Sequence, residues 1–367
     1  MRGGEDAEAT VRAAGALGSR PPRPADSGKR MLLWAAVASG LVVFAAIYFT
    51  FLVPPRFQIR SAGRAGILAA DPRHLLIFRY SNDPNVVVLD FPNLHQQGEM
   101  LNRVAAFVEK AGAPHNRVLT DSELAAAIRA SGATPDTYYY GHDYRAADLV
   151  RFFHLMARDH VAPDPEERRL RALLAQLHWF APGAVGAMIT LPGPGKAPGL
   201  DERGRATILE HELSHGAYFT IPAYDVYANH FFHDVLSPQD RALFRRFLAG
   251  EGYDTRITDL VINETQAYLM FTPDPRFFSA ALVGLTRARL EALRAIFWRG
   301  IPLGWLKRSV PPPGPVPGPI PAAGGTAVAK PRRRRQGFAR VVRRRAVASK
   351  GSCAASAAAR VAARAGR

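Results

Sequence analysis

His211-Glu212-Leu213-Ser214-His215 is the stretch that most constrains this chain. Histidines four residues apart stand one turn apart on a helix and stack on one face. Imidazoles so placed can hold one metal ion from one side. The Glu212 carboxylate beside them can reach a water on that ion and move its proton. Asp201 is placed to cap such a helix, Glu202 adds negative charge to its first turn, and Gly216 is a natural stop, with continuation through Tyr218 allowed. Ala206, Leu209, Leu213 and Ala217 form an apolar stripe, so one face packs while His211, Glu212 and His215 line a site. The competing reading is an exposed helix with two solvated histidines.

A second feature downstream weighs against that competitor. Ile257, Leu260, Val261, Ala267, Tyr268 and Phe271 share one apolar helical stripe, and Glu264 falls in its middle. A carboxylate there is buried, and a buried charge needs a cation. A metal shared with His211 and His215 would serve; so would a salt bridge to Arg245, Arg246 or Arg256. Two neutral histidines and one carboxylate form a known catalytic zinc set with a fourth position left for water. His230 and His233 are the rivals to Glu264 as third ligand.

His-Glu-Leu-Ser-His followed by Asn263-Glu264-Thr265-Gln266-Ala267-Tyr268 resembles the gluzincin branch of zinc metallopeptidases, thermolysin and neprilysin among its members. The third ligand of that branch is a Glu in an N-E-x-x-A-like helix, matching Asn263, Glu264 and Ala267. The resemblance covers roughly residues 183–272, with strong motifs at two points. It implies Zn2+ on His211, His215 and Glu264, Glu212 as the base, and a peptide or protein substrate. One departure stands out: thermolysin and neprilysin carry an Asp four residues after the ligand Glu, behind a zinc histidine, where this chain has Tyr268, so the supporting groups must differ. The metzincin pattern fails, because its third histidine would fall on Ile221. The chain as a whole is similar to membrane-anchored proteins of proteobacteria.

The branch also implies an exposed edge strand just before the catalytic helix, where a peptide substrate adds as a strand. Val185 to Leu191 is the strand at this place, and Gly186 and Ala187 would leave space for that peptide; a plain sheet strand is the alternative. Pro192 to Leu200 reads as a Gly/Pro loop. Tyr224, Tyr227, His230, His233 and Tyr268 are candidate donors to the oxyanion of a tetrahedral intermediate, with Tyr224 and Tyr268 preferred. Tyr138 to Tyr144 is dense in aromatics and either lines a groove or packs on the core. His154, His160 and His178 have no partner at ligand spacing and read as structural.

The remaining chain sets the layout. Residues 1–30 read as disordered. Met31 to Val53 runs 23 residues without a charge, long enough to span a bilayer, with Trp34 and Tyr48 near its ends. It is too long for a signal-peptide core and no small-x-small cleavage site precedes Pro54-Pro55, so it reads as a signal anchor. Five Lys/Arg in 11–30 against four in 54–73 favour the N-terminus inside. That orientation puts a single-pass chain in the inner membrane with its globular domain periplasmic. Residues 54–73 read as a linker, 74–180 as an α+β part of the globular domain, and 181–309 as the zincin-like catalytic part.

Within these, Leu75–Tyr80 and Val86–Phe91 read as a hairpin around Ser81–Asn85. Met100–Ala111, a segment from an Asp121 or Ser122 cap to Ala130, Ala146–Arg158, Pro165–Leu177, Ala223–Leu236, Pro238–Ala249 and Arg289–Trp298 read as helices. Residues 310–367 are a Pro-rich spacer and a polybasic tail. Of the net charge of +17, thirteen units belong to 330–367, so the basicity is the tail's and not the fold's. The tail can contact anionic lipid or nucleic acid, or be a solvated extension with no role. The only cysteine, Cys353, excludes an internal disulfide. The expectation is an α+β fold, mostly helical, on one N-terminal transmembrane helix. Its function is peptide-bond hydrolysis, with a non-catalytic zinc-binding protein and a zinc amidase acting on cell-wall peptides as alternatives.

Overall fold

A computed structural model of the chain describes residues 36–37, 39–40, 56–193 and 200–312. The expected disordered segment 1–30, the 31–53 anchor apart from four residues, loop positions 194–199 and the tail from 313 lie outside them. Among the described residues no helix is long and apolar enough to cross a membrane. The chain divides between Pro54 and Pro55, and the second unit carries the sheet and the site.

That unit is α+β and mostly helical. Its strands are β1 (Ile59–Ala62), β2 (Leu76–Tyr80), β3 (Val86–Phe91), β4 (His142–Arg145) and β5 (Ala187–Pro192), in the order β1-β2-β3-β5-β4. β2 and β3 form the expected antiparallel hairpin; β1 joins β2 in parallel, β5 joins β3 in parallel, and β4 joins β5 antiparallel. The helices are α1 (Arg64–Leu68), α2 (Leu94–Val108), α3 (Asp121–Ala130), α4 (Ala146–Arg158), α5 (Pro165–Gln176), α6 (Glu202–Thr220), α7 (Pro222–His230), α8 (Pro238–Glu251), α9 (Thr258–Phe271), α10 (Ala280–Val283), α11 (Arg287–Gly300) and α12 (Trp305–Ser309).

The period of two along β3 sorts the layers. Val87, Leu89 and Phe91 pack with Met100 and Val104 of α2, Phe152 of α4 and Leu170 of α5. Val86 and Val88 face the other way, onto Ile208, Leu209 and Leu213 of α6. A third cluster, including Tyr218, Phe244, Val261, Leu269 and Phe297, joins the far side of α6 to the C-terminal helices. Helix α6 is therefore sandwiched, buried on nearly every side from Gly204 to Tyr218.

Two contacts fix its position. Arg205, 1 % exposed, forks onto both carboxylate oxygens of Asp90 on β3 (2.9 and 2.8 Å) and donates to the carbonyls of Ile67 and Pro192. Gly216 lies so close to β3 that a Cβ there would stand 3.0 Å from the Val86 methyls. Asp201 caps the helix as expected, accepting from Gly204 N at 2.8 Å. The helix passes Gly216 and ends at Thr220, because Ile221 precedes Pro222 and is held extended.

Several expectations need correction. Residues 54–73 are not only a linker: β1 and α1 lie within them, the strand extending the sheet and Arg64 of the helix pairing with Glu210 at 2.5 Å. The cap of α3 is Thr120, in a capping box with Glu123, one residue before the expected Asp121 or Ser122. The helix expected over Ala223–Leu236 ends at His230 in a wide turn over Phe231–Val235, whose Leu236 N donates to Phe231 O. The carbonyls of Phe232, His233 and Leu236 there are collected by the guanidinium of Arg241. His160 and His178 follow α4 and α5 with positive φ, taking the left-handed place a glycine usually fills.

Candidate metal centre

Helices α6 and α9 face each other across the site. His211 Nε2 stands 3.6 Å from Glu264 Oε2, and His215 Nε2 stands 3.7 Å from Glu264 Oε1. Ligand atoms bound about 2.0–2.2 Å from a tetrahedral zinc are separated by about 3.3–3.6 Å, so the spacing fits. His215 Nε2 and both Glu264 oxygens are buried without a hydrogen-bond partner. An orphaned acceptor set of this kind is costly unless a cation satisfies it.

The protonation pattern suits a cation as well. Burial pushes His211 down to about 3 and His215 to about 4, so both imidazoles are neutral near pH 7. The Thr272 hydroxyl donates to Ala267 O (3.0 Å), which leaves its oxygen to accept from His211 Nδ1 (2.8 Å). Nδ1 thus carries the ring proton and Nε2 turns its lone pair toward Glu264. Burial raises Glu264 to about 7, opposed by His215. The alternative arginine partners are elsewhere: Arg245 donates to Thr255 O, Arg256 pairs with Asp254, and Arg246 is exposed.

Glu212 sits beside the triad and forms a second close group with Asp143 and His215. Its Oε2 is buried without a partner, and burial followed by the charges of Glu264 and Glu109 raises its carboxyl well above the usual range. A small cavity of about 40 Å³ is lined by His211, Glu212, Tyr268, Tyr253 and the Tyr138–Gly141 segment. That is room for a few waters. Gly141 lies against Glu212: a Cβ there would stand 2.1 Å from Glu212 Oε1 and 2.8 Å from its Cδ, so any side chain at 141 would displace the Glu212 carboxylate.

Tyr268 is in the cavity with its ring 4.7 Å from that of His211. Tyr224 is not. Its hydroxyl donates to Gln266 Oε1 (2.5 Å) on another side of α9, and Gln266 in turn donates to Ser214. The expectation that Tyr224 serves an oxyanion is corrected on that ground. His230 is also excluded as a ligand: it is an exposed residue paired with Asp234 at 2.8 Å, and His233 is exposed too. Tyr227 donates to the Phe297 carbonyl.

Gly186 and Ala187 are corrected as well. β5 is an apolar run buried on both faces, and it takes a partner on each side: Ala187 is paired with Val86 of β3 and with Arg145 of β4. The edge on that side is β4, not β5. The space beside Gly186 is filled by Trp179, whose ring a Cβ there would meet at 2.6 Å.

The groups that residue spacing does not reveal are Asp143, Glu109, Gly141 and Tyr253. β4 alternates, so His142 and Tyr144 share one face and Asp143 turns toward α6, its Oδ2 3.7 Å from His215 Nδ1 and held by Asn263 Nδ2 at 3.0 Å. A carboxylate thus stands behind a candidate ligand histidine, supplied by the sheet and not by α9. Glu109 arrives from the end of α2, where Ala111 N donates to Gly252 O and Asp254 N donates to Glu109 O. That pairing also delivers Tyr253. No protein-family model, curated protein or solved structure matches this chain.

Proposed function

We propose that the chain is a zinc-dependent metallopeptidase of gluzincin type, with His211, His215 and Glu264 as the metal ligands. The carrying observation is that convergence of two neutral imidazoles and one carboxylate, with His215 Nε2 and both Glu264 oxygens buried and without a hydrogen-bond partner, beside the carboxylate of Glu212. Zinc held there would supply a Lewis acid and a water acidic near neutral pH. Glu212 is the base that takes the proton of the attacking water and returns it to the leaving nitrogen. The Tyr268 hydroxyl donates to the oxygen that becomes negative during attack. Asp143 steadies His215 from behind. Residues 31–53 anchor the chain in the inner membrane, with the site in the periplasm; a reporter active only in the periplasm, fused after residue 310, is then active.

One observation favours a second reading, a zinc-binding protein without turnover: Glu212 is 5 % exposed and the Gly141 backbone lies against it. Digestion of a broad peptide pool by the full chain in detergent, with and without a chelator, separates the two. Chelator-sensitive cleavage supports the peptidase. Stoichiometric zinc without cleavage of peptides or of cell-wall peptide crosslinks supports the binding protein, and cleavage that survives the chelator removes the metal from the reaction.

A further inference from the structure

The carboxylates around the site outnumber what one ion can balance. Glu109, Asp143 and Glu264 bring an oxygen each within 4.8 Å of one another, all three buried, and Glu212 joins Asp143 in a neighbouring group. With all four ionised, one divalent ion at the histidines would offset only two of the charges. Of the nearby cations, Arg145, on the same strand as Asp143, pairs with Asp259 at 2.8 Å, and Lys110, which lies over the Tyr139 ring at 3.7 Å, brings one positive charge near Glu109.

Glu109 is the group the zinc reading leaves without a task. It is 2 % exposed, one of its oxygens belongs to this group, and its Oε1 is buried with no hydrogen-bond partner. Its position is not accidental to a loose loop, because its own carbonyl accepts from Asp254 N at 2.8 Å and its neighbour Lys110 bridges to Tyr253. A buried carboxylate with an unpartnered oxygen is costly or gives up its charge, whereas an ion among three such carboxylates removes the cost.

We propose that Glu109, Asp143 and Glu264 hold a second divalent cation beside the His211–His215–Glu264 ion, with Glu264 shared between them. The donor set decides its class. Three carboxylates and no nitrogen or sulfur suit a hard, oxygen-preferring ion such as Mn2+ or Mg2+, which completes its shell with water. The histidine side of Glu264 suits zinc, so the two positions select different metals. The second ion neutralises the carboxylates that crowd Glu212 and holds Asp143, and through it β4, against α6. The proposal rests on the zinc reading for the role of the shared Glu264, while Glu109 belongs to the second position alone.

The test uses the full chain in detergent, stripped of metal, loaded with one equivalent of Zn2+ and then titrated with Mn2+. Loss of the aqueous Mn2+ electron-spin resonance signal reports binding. The expected result is one Mn2+ per zinc-loaded chain, with Glu109→Gln keeping its zinc and losing at least tenfold in Mn2+ affinity. A zinc-loaded wild type that binds no Mn2+, or a folded Glu109→Gln that binds it as wild type does, overturns the second position; the wild-type titration decides even if the variant does not fold. A chain that takes up Mn2+ and no zinc sinks the zinc reading and leaves the carboxylate site standing.

Discussion

Helix α6 carries two buried charged clusters that end in opposite conditions. At its start, Arg205 and Asp90 answer each other with two hydrogen bonds and the guanidinium also reaches the carbonyls of Ile67 and Pro192, so that of this pair only Arg205 Nε is left without a partner. Two turns further on, His215 Nε2, both Glu264 oxygens and Glu212 Oε2 are equally buried and have no partner within the chain. A closed network holds structure, and it holds α6 against the central strand. An open one of several charged groups is costly unless something outside the chain completes it. The contrast separates a positioning device from a site on one helix, without reference to any other protein.

The largest effect expected on the open cluster is on turnover. Glu212→Gln keeps shape and hydrogen bonding and cannot accept and return a proton. On the proposed reading it retains zinc by elemental analysis and loses about a hundred- to ten-thousand-fold in kcat on any peptide that wild type cleaves. Equal turnover of the variant would show that Glu212 is not the base.

The closed cluster answers to stability instead. Arg205→Ala leaves Asp90 buried and uncompensated, an expected loss of about 3–5 kcal/mol in denaturant unfolding. Removing both partners, as Arg205→Met with Asp90→Leu, costs much less, since no charge is then stranded. If the double substitution costs as much as the single one, the network supplies more than charge compensation. Neither change touches the metal-binding groups, so zinc content per folded molecule is unchanged.

The two tyrosines preferred as oxyanion donors, Tyr268 on α9 and Tyr224 on α7, sharpen the contrast. Tyr268→Phe removes a hydroxyl from the cavity, and loss of one such donor typically lowers kcat about a hundred- to a thousandfold. Tyr224→Phe removes the donor to Gln266 behind the site and lowers stability by about 1 kcal/mol, with kcat near wild type. Reversal of this order would return Tyr224 to the reaction.

What was legible in the sequence follows the same division. The Val86–Phe91 run, the Asp201 cap and the His211–His215 spacing are local, so residues a few positions apart fix them. Glu264 was legible because a charge interrupting an apolar stripe needs an explanation wherever the helix packs. Nothing in the local sequence marks Arg205, because its partner lies on a strand far away in the chain. Asp143 and Gly141 were hidden for a related reason. β4 is four residues, His-Asp-Tyr-Arg, with no apolar alternation to announce a strand, and its register against β5 decides which side chain faces α6. The edge expected before α6 came from the resemblance, and it is the unannounced β4 that covers β5 and places it in the interior.

The smallest effect expected belongs to Asp143, and it tests whether the sheet has taken over a task that the resemblance assigns to a residue on α9. Tyr268 occupies the position where that support is expected, and it cannot supply a carboxylate. Asp143 reaches His215 from the opposite side. Loss of a group behind a ligand histidine usually lowers metal affinity about ten- to a hundredfold. Here His215 Nδ1 and Asp143 Oδ2 are 3.7 Å apart, beyond a hydrogen bond, so the coupling is mainly electrostatic. Asp143→Asn removes the charge and keeps the shape, so zinc affinity falls by about tenfold, the lower end of that range. His215→Ala, which removes a ligand outright, must cost considerably more. Competition against a chelator of known affinity gives both values on one scale. Unchanged affinity in Asp143→Asn would mean that His215 is steadied by packing alone and that β4 contributes only the backbone that closes over Glu212.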